Sequence, residues 1–308
     1  MKVSIIIRAF NEEKHIGKLL KGISEQTETS IETILVDSGS TDKTVKIASH
    51  YNVKLVTIKP EDFSFGYSLN KGCEAASGEF LIMASAHVYP VYKDWISQML
   101  LPFENNEIAL VYGKQRGNEL TKYSEHKIFE KWFPEESDFD QQTPFCNNAN
   151  SAIRKSLWEN DRYNETVTGL EDLEWATRIM EKGYKIAYNA DAEIIHVHEE
   201  TPQSIMNRYY REALALKKIM PDHKFSFLDF VKLTSSNIVS DFAHAFQEKK
   251  LIKNLFTIPE FRVMQFWGTY KGHNLKANDG TLRKRFYYPN PINNKNTAKD
   301  LERTKIDY

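Results

Sequence analysis

Hydrophobic and polar positions follow two rhythms over the first hundred residues. Short apolar runs at 3–7, 32–36, 53–58 and 80–84 are rich in β-branched side chains and bounded by polar breaks, the pattern of strands buried on both faces. Between them, apolar residues fall at helical spacing. Ile16, Leu19, Leu20 and Ile23 form one stripe, predicting a helix that Asn11 can cap. Thr41 or Asp42 opens a second helix with Val45, Ile47 and Ala48, and 68–76 reads as a third, stopped at Ser77-Gly78. Strand–helix alternation at this pace predicts an α/β fold, a Rossmann-like, mainly parallel sheet flanked by helices. Ligands bind such sheets beyond the carboxyl ends of the strands. Residues 9–12, 37–40 and 85–87, which follow strands one, two and four, should therefore share one edge.

Further on the pattern is mixed. It predicts a strand at 110–113, a polar loop over 135–143, a helix over 173–182 ended by Gly183, and strands at 185–188 and 193–197. Helices are predicted near 203–220, 228–246 and 259–270, with an extended or flexible tail after Gly280. This divides the chain into an α/β domain over 1–200 and a mainly helical C-terminal region over 201–308. There is no internal repeat.

Composition narrows the class. With 41% hydrophobic and 27% charged residues, the chain is neither collagen-like nor coiled coil nor wholly disordered. No run approaches the ~18–20 apolar residues of a spanning helix, and the apolar start is too short for a signal peptide. Two cysteines, Cys73 and Cys146, cannot make a disulfide framework, so a reducing, cytoplasmic setting is expected. Charge is uneven: residues 201–308 hold 19 Lys and Arg against 10 Asp and Glu, while 1–200 hold 22 against 32. The C-terminal region is then either an ordinary solvated surface or one facing something anionic. The run Arg283-Lys-Arg-Phe-Tyr-Tyr288 favours peripheral contact with the inner face of a membrane. A homodimer through the helices around 208–216 and 228–246 is the competing expectation. No nucleic acid partner is expected.

Asp37 carries the first chemical signal. A carboxylate ending a buried strand can accept the ring N–H of uracil or thymine and reject cytosine, which has none. An Asp before Ser-Gly-Ser is also a common turn former. Glu171-Asp172 places two acids at a helix start, where the dipole favours them as caps. A carboxylate there also suits proton abstraction. His196 and His198 alternate along a strand, so both imidazoles share a face.

The segments Ser4-Ile-Ile-Ile-Arg-Ala-Phe-Asn-Glu12, Leu35-Val-Asp-Ser-Gly-Ser-Thr-Asp42, Phe63-Ser-Phe-Gly-Tyr-Ser-Leu-Asn-Lys-Gly72, Ala76-Ser-Gly-Glu-Phe80 and Gly169-Leu-Glu-Asp-Leu-Glu-Trp175 resemble family 2 glycosyltransferases of the GT-A fold, over roughly residues 1–200. The Val-Asp-Ser-Gly-Ser-Thr-Asp form and the Arg before Ala-Phe-Asn-Glu resemble bacterial rhamnosyltransferase-like members. The resemblance implies that Asp37 reads the pyrimidine of a UDP- or dTDP-sugar donor, with Ala9, Phe10 and Glu12 near the nucleotide. It implies Asp172 as the base that deprotonates an acceptor hydroxyl, with Glu171 in support and a single, inverting displacement. Asn148 and Asn150 fall in the segment leading to the acceptor site, where their amides would meet sugar hydroxyls or serve as loop and cap residues. Trp132 would be an acceptor-side wall or part of the core.

One motif departs from the family pattern. Where members carry Asp-x-Asp to hold a divalent cation (Mn²⁺ or Mg²⁺) on the donor diphosphate, this chain reads Ser85-Ala86-His87. Ser85 is a poor ligand. His87 would either coordinate a metal with His196 or His198, donate directly to the diphosphate, or be a structural histidine. The implied activity is sugar transfer to a saccharide acceptor, free or lipid-linked, in surface polysaccharide or lipopolysaccharide synthesis. Loss of the acidic motif keeps open a non-catalytic nucleotide- or sugar-binding subunit. A nucleotidyltransferase would want a Gly-rich, basic loop that residues 8–13 do not supply.

Overall fold

Nine strands form one sheet in the computed structural model, which describes residues 2–28, 30–274 and 303–308. In chain order they are β1 (Val3–Ala9), β2 (Ile31–Asp37), β3 (Val53–Thr57), β4 (Phe80–Ser85), β5 (Val88–Pro90), β6 (Ile108–Arg116), β7 (Asp138–Gln141), β8 (Asn150–Arg154) and β9 (Lys185–His196). They lie in the order β3-β2-β1-β4-β8-β6-β9-β5, with β7 beside β9. β1 to β4 are parallel and match the predicted runs closely. β8 then enters antiparallel between β4 and β6, and β5 and β7 run antiparallel to β9. The sheet is therefore mixed rather than mainly parallel.

β8 escaped the hydrophobic pattern because it starts with Asn150 and Ser151, which are polar yet fully buried. Asn150 accepts from the Trp95 indole at 2.9 Å and donates to the Ala192 carbonyl at 2.8 Å. Ser151 donates to the Asn148 side-chain oxygen at 2.7 Å. Interior hydrogen bonds of this kind allow polar residues into a central strand.

The helices are α1 (Ile16–Ser24), α2 (Thr44–Ala48), α3 (Phe65–Ala75), α4 (Trp95–Leu100), α5 (Tyr123–Trp132), α6 (Lys155–Asn160), α7 (Glu171–Glu181), α8 (Pro202–Ile219), α9 (Phe227–Gln247), α10 (Leu251–Asn254) and α11 (Thr257–His273). They cover both sheet faces. Val3, Ile5 and Ile7 of β1 pack with the α1 stripe and with Trp95, Ile96 and Met99 of α4. Ile6 packs on the other side with Leu69 and Cys73 of α3 and Trp175 and Ile179 of α7.

Several boundaries differ from the sequence reading. α1 starts at Ile16, and Asn11 does not cap it. Asn11 is left-handed at φ 56°, and its side-chain oxygen accepts from the Thr41 amide at 2.8 Å, tying the loop after β1 to the loop after β2. The 135–143 loop contains β7, and the two strands expected at 185–188 and 193–197 are one continuous strand.

α8 packs closely on α11, where a Cβ at Gly268 or Gly272 would collide with the carbonyls of Met206 or Tyr210. Ile205 and Tyr209 of α8 are buried with Phe261 of α11, so the 208–216 face proposed for a dimer is occupied within the chain. Arg262 of α11 is buried and bidentate on Asp241 of α9, at 2.7 and 2.8 Å, and reaches the Ser124 carbonyl of α5 at 3.3 Å. This joins the C-terminal helices to the α/β body. Residues 303–308 do not extend away: the Ile306 amide donates to the Val91 carbonyl at 3.0 Å, and Arg303 pairs with Asp94 at 3.1 Å. The 283–288 run lies outside the described residues. Among the described residues, no helix is long and apolar enough to cross a membrane.

Candidate active site

The carboxyl ends of the strands gather the residues singled out above. Ala9 pairs with Asp37 across β1 and β2, Arg8 with Ser85 across β1 and β4, and Val88 with His196 across β5 and β9. Asp37 is buried, and its carboxylate accepts from the amides of Gly39 and Ser40, each at 3.1 Å. The turn-forming role is thus filled, with Gly39 supplying φ 88°. A carboxylate has roughly four lone-pair sites, so two amides leave capacity for another donor. The Ala9 carbonyl is taken by the Ser38 amide at 3.0 Å, while the Phe10 ring is 53% exposed.

The acid pair is built by three segments. Leu170 is left-handed at φ 54° and turns the chain into α7, whose first turn carries Glu171 and Asp172. Asp172 accepts the Asn148 amide at 2.9 Å and the Leu173 amide at 2.8 Å. Glu171 accepts from Arg8 of β1 at 3.0 Å and from the Asn148 side chain at 3.4 Å. Arg8 lies 4.9 Å from the centre of the Phe65 ring, and Arg211 of α8 lies 4.7 Å from it. Burial and the neighbouring Glu171 charge raise the Asp172 carboxyl from 3.8 to about 7, against the pull of the Asn148 and Leu173 amides and Arg8. A carboxylate titrating near neutrality is matched to general base work.

The two asparagines are not free for an acceptor. Asn150 is fully enclosed and spends its side chain on Trp95, Lys114 and Ala192. Asn148 is also buried, and its side chain is spent on Glu171 and Ser151. Both hold the site's framework rather than a sugar. Trp132 is half-buried, 4.6 Å from the Phe145 ring, and packs on the core that contains Phe133.

The histidines converge as the strand alternation requires. One ring nitrogen from each of His87, His196 and His198 lies within 4.8 Å of the other two. The Nδ1 atoms are engaged elsewhere: His87 with Glu12 at 2.8 Å, His196 with Gln115 at 2.7 Å, and His198 with Glu125 at 2.7 Å. Nε2 is the nitrogen each ring has left to offer, and that of His196 is buried without a hydrogen-bond partner. Burial and the neighbouring His198 and His87 hold the His196 imidazole well below its usual pKa, hence neutral. The three rings fit a divalent cation with imidazole ligands. A second cluster, Glu125, His198 and Glu200, already holds a cation: Arg208 of α8 lies 2.6 Å from Glu125 and 2.5 Å from Glu200. Burial opposes the Glu125 charge, but Arg208 and His198 outweigh it and lower the carboxyl to about 2.

Four of these residues carried no role in the sequence reading: Arg8 as partner of Glu171, and Gln115, Glu125 and Arg208 around the histidines. Each comes from an element far along the chain from the residue it serves, and no local motif marks it.

A family model described as glycosyl transferase family 2 matches residues 4–160. The O-antigen chain rhamnosyltransferase WbaN of Salmonella anatum is 29% identical over 197 residues, covering 60% of this chain and 62% of that protein, somewhat less than two thirds of its length. The O-antigen chain rhamnosyltransferase RfbN of Salmonella typhimurium is 28% identical over 226 residues, covering 68% and 71%. Among solved structures, the mannosyltransferase PcManGT from Pyrobaculum calidifontis, in complex with GDP-Man and Mn²⁺, superposes with a TM-score of 0.60 at 18% identity, covering 88% of this chain and 86% of that one.

Proposed function

The chain belongs to glycosyl transferase family 2 and has the GT-A fold, and from that premise we propose that it is an inverting glycosyltransferase using a UDP- or dTDP-sugar. The observation that carries the reading is the buried Glu171–Asp172 pair, fixed by Arg8 and Asn148 at the strand ends with its Asp172 carboxyl raised to about 7. Asp172 takes the proton of an acceptor hydroxyl as that oxygen bonds to the anomeric carbon. The bond from that carbon to the diphosphate oxygen breaks, and the nucleoside diphosphate leaves. One displacement without an enzyme nucleophile inverts the anomeric centre. Asp37 reads the pyrimidine, with the exposed Phe10 ring beside it and Ala9 and Ser85 framing the cleft. Trp132 borders the acceptor side. A divalent cation held by His87, His196 and His198 would neutralise charge on the leaving diphosphate.

The named relatives favour a deoxyhexose such as rhamnose as the donor sugar, and a saccharide of the cell surface as the acceptor. The test is a panel of nucleotide sugars offered with saccharide acceptors, read by release of nucleoside diphosphate and by the anomeric configuration of the product in NMR. Tight nucleotide binding without turnover of any sugar would instead support a non-catalytic binding subunit.

A lipid-linked acceptor agrees with the outer face of α9 and α10. Leu228, Val239 and Phe246 are separated by whole helical turns and are 78%, 67% and 72% exposed. Ile252 and Phe256 beyond them are 93% and 84% exposed, with Lys249 and Lys253 exposed between. Several large apolar side chains exposed along one segment mark a candidate contact surface. Its basic rim suits an anionic lipid surface, with a second copy of the chain as the competing occupant.

A further inference from the structure

We propose that the three-histidine cluster is a transition-metal centre that selects Zn²⁺ or Co²⁺ over Mg²⁺, with Glu12, Gln115 and Glu125 as its positioning residues. This rests on the transferase reading for the role of the metal, which would meet the donor diphosphate, but not for its binding.

His87, His196 and His198 bring one nitrogen each within 4.8 Å of one another, and no carboxylate belongs to this group. Mg²⁺ requires oxygen ligands and gains little from imidazole. Zn²⁺, Co²⁺ and Ni²⁺ favour imidazole nitrogen, and three such ligands leave a position open for a further oxygen. Replacing the acidic motif with Ser85-Ala86-His87 thus changes the kind of ion held rather than simply weakening the site.

The surroundings of the rings support this assignment independently. A metal-ligating histidine characteristically gives its other ring nitrogen to a carboxylate or amide oxygen, which fixes the tautomer and the ring plane. Here all three do so, to Glu12, Gln115 and Glu125 at 2.7–2.8 Å. With Nδ1 protonated by that arrangement, each Nε2 presents a lone pair. His196 Nε2 is enclosed with no partner, a position that a cation satisfies and that is otherwise costly to leave in the interior. Glu125 is itself held by Arg208 at 2.6 Å, so its orientation is set before any ion arrives.

The experiment uses the untagged full chain, stripped of metal, and titrates Co²⁺ while following visible absorption. One equivalent should bind with the intense bands of a low-coordinate nitrogen site. Zn²⁺ should displace it stoichiometrically, and Mg²⁺ should fail to displace it even in large excess. His87→Ala should abolish the bands. Gln115→Leu, which keeps all three ligands, should weaken Co²⁺ about 10- to 100-fold, and thermal unfolding of both variants would confirm that they are folded. Displacement by equimolar Mg²⁺, absence of the bands in the folded wild type, or unchanged Co²⁺ affinity in folded His87→Ala or Gln115→Leu would overturn the assignment. UDP and dTDP titrations, run both in EDTA and with saturating Co²⁺, separate this from the functional reading. Nucleotide binding without Co²⁺ binding defeats the metal centre alone, and Co²⁺ binding without any nucleotide binding defeats the transferase reading alone.

Discussion

Replacing Asp172 with asparagine keeps the size of the side chain and removes its capacity to take a proton. Both carboxylate oxygens accept backbone amides, from Asn148 at 2.9 Å and Leu173 at 2.8 Å, so an amide group here must turn its NH₂ toward one of those donors. One buried N–H then loses its acceptor, at about 1–3 kcal/mol, while the repulsion from Glu171 disappears. These changes oppose each other, and Asp172→Asn should remain folded and bind nucleotide normally. Turnover should fall ~100-fold or more. The pH profile gives a sharper test. The base works deprotonated, and with the carboxyl at about 7 kcat/KM should rise with pH and level off above neutrality. Glu171→Gln removes the like charge. Two unit charges ~6 Å apart interact by ~0.7 kcal/mol in water and ~2.8 kcal/mol at an effective dielectric of ~20. The rising limb should therefore move to lower pH by about half a unit to two units. Stability follows with a fixed sign. Because the folded pKa lies above the unfolded value of 3.8, the contribution of Asp172 is complete below about pH 4 and is lost as pH rises through about 7; Asp172→Asn should lack that decline in urea denaturation. Near-normal turnover in Asp172→Asn, or a limb that stays in place in Glu171→Gln, would refute the assignment.

Asp37→Asn should weaken UDP and dTDP by about 1.5–3 kcal/mol while leaving CDP unchanged or improved, as read by titration calorimetry; equal losses for all three nucleotides would mean that Asp37 serves only its turn. Liposomes with anionic lipid should sediment the wild-type protein at low salt, and Phe246→Ser combined with Ile252→Ser and Phe256→Ser should stay in the supernatant. Persistence of a dimer at high salt, with no lipid binding at low salt, would assign the α9–α10 face to a second copy. Asp241→Ala strands the buried Arg262 guanidinium and should destabilise the protein by about 3–5 kcal/mol in urea denaturation, with the loss of α5 docking visible as increased proteolysis near Ser124.

The N-terminal half was legible because its strands are β-branched runs cut by Asp, Ser and Gly. The edge where Ala9, Asp37 and Ser85 meet followed from that alternation alone. The second half hid its central strand behind Asn150 and Ser151, whose polarity is satisfied by Trp95, Ala192 and Asn148 in three dimensions and by nothing nearby in sequence. The same is true of the site. Glu171 and Asp172 announce themselves as an acid pair at a helix start, and His196 and His198 by their alternation. Their partners Arg8, Gln115 and Glu125 look like any surface charge or amide until the fold brings them together. Asn11 shows the reverse failure: a residue with strong capping propensity was drawn instead into a left-handed loop brace on Thr41.

The Arg8–Glu171 pair closes a separation of 163 positions along the chain, and this has a temporal consequence. A ribosome delivers β1 to β4 together with their helices first, and those units pair with near neighbours in sequence. Arg8 has no counter-charge until α7 emerges with Glu171 and docks back onto β1. His198 and Glu125 wait longer still, for Arg208 of α8. Contacts of such long range carry the largest loop-closure cost and form late. On the proposed function, the segment that would hold the nucleotide completes its strand pairing early, whereas the acid pair and the histidine cluster are assembled only once α7 and α8 have docked.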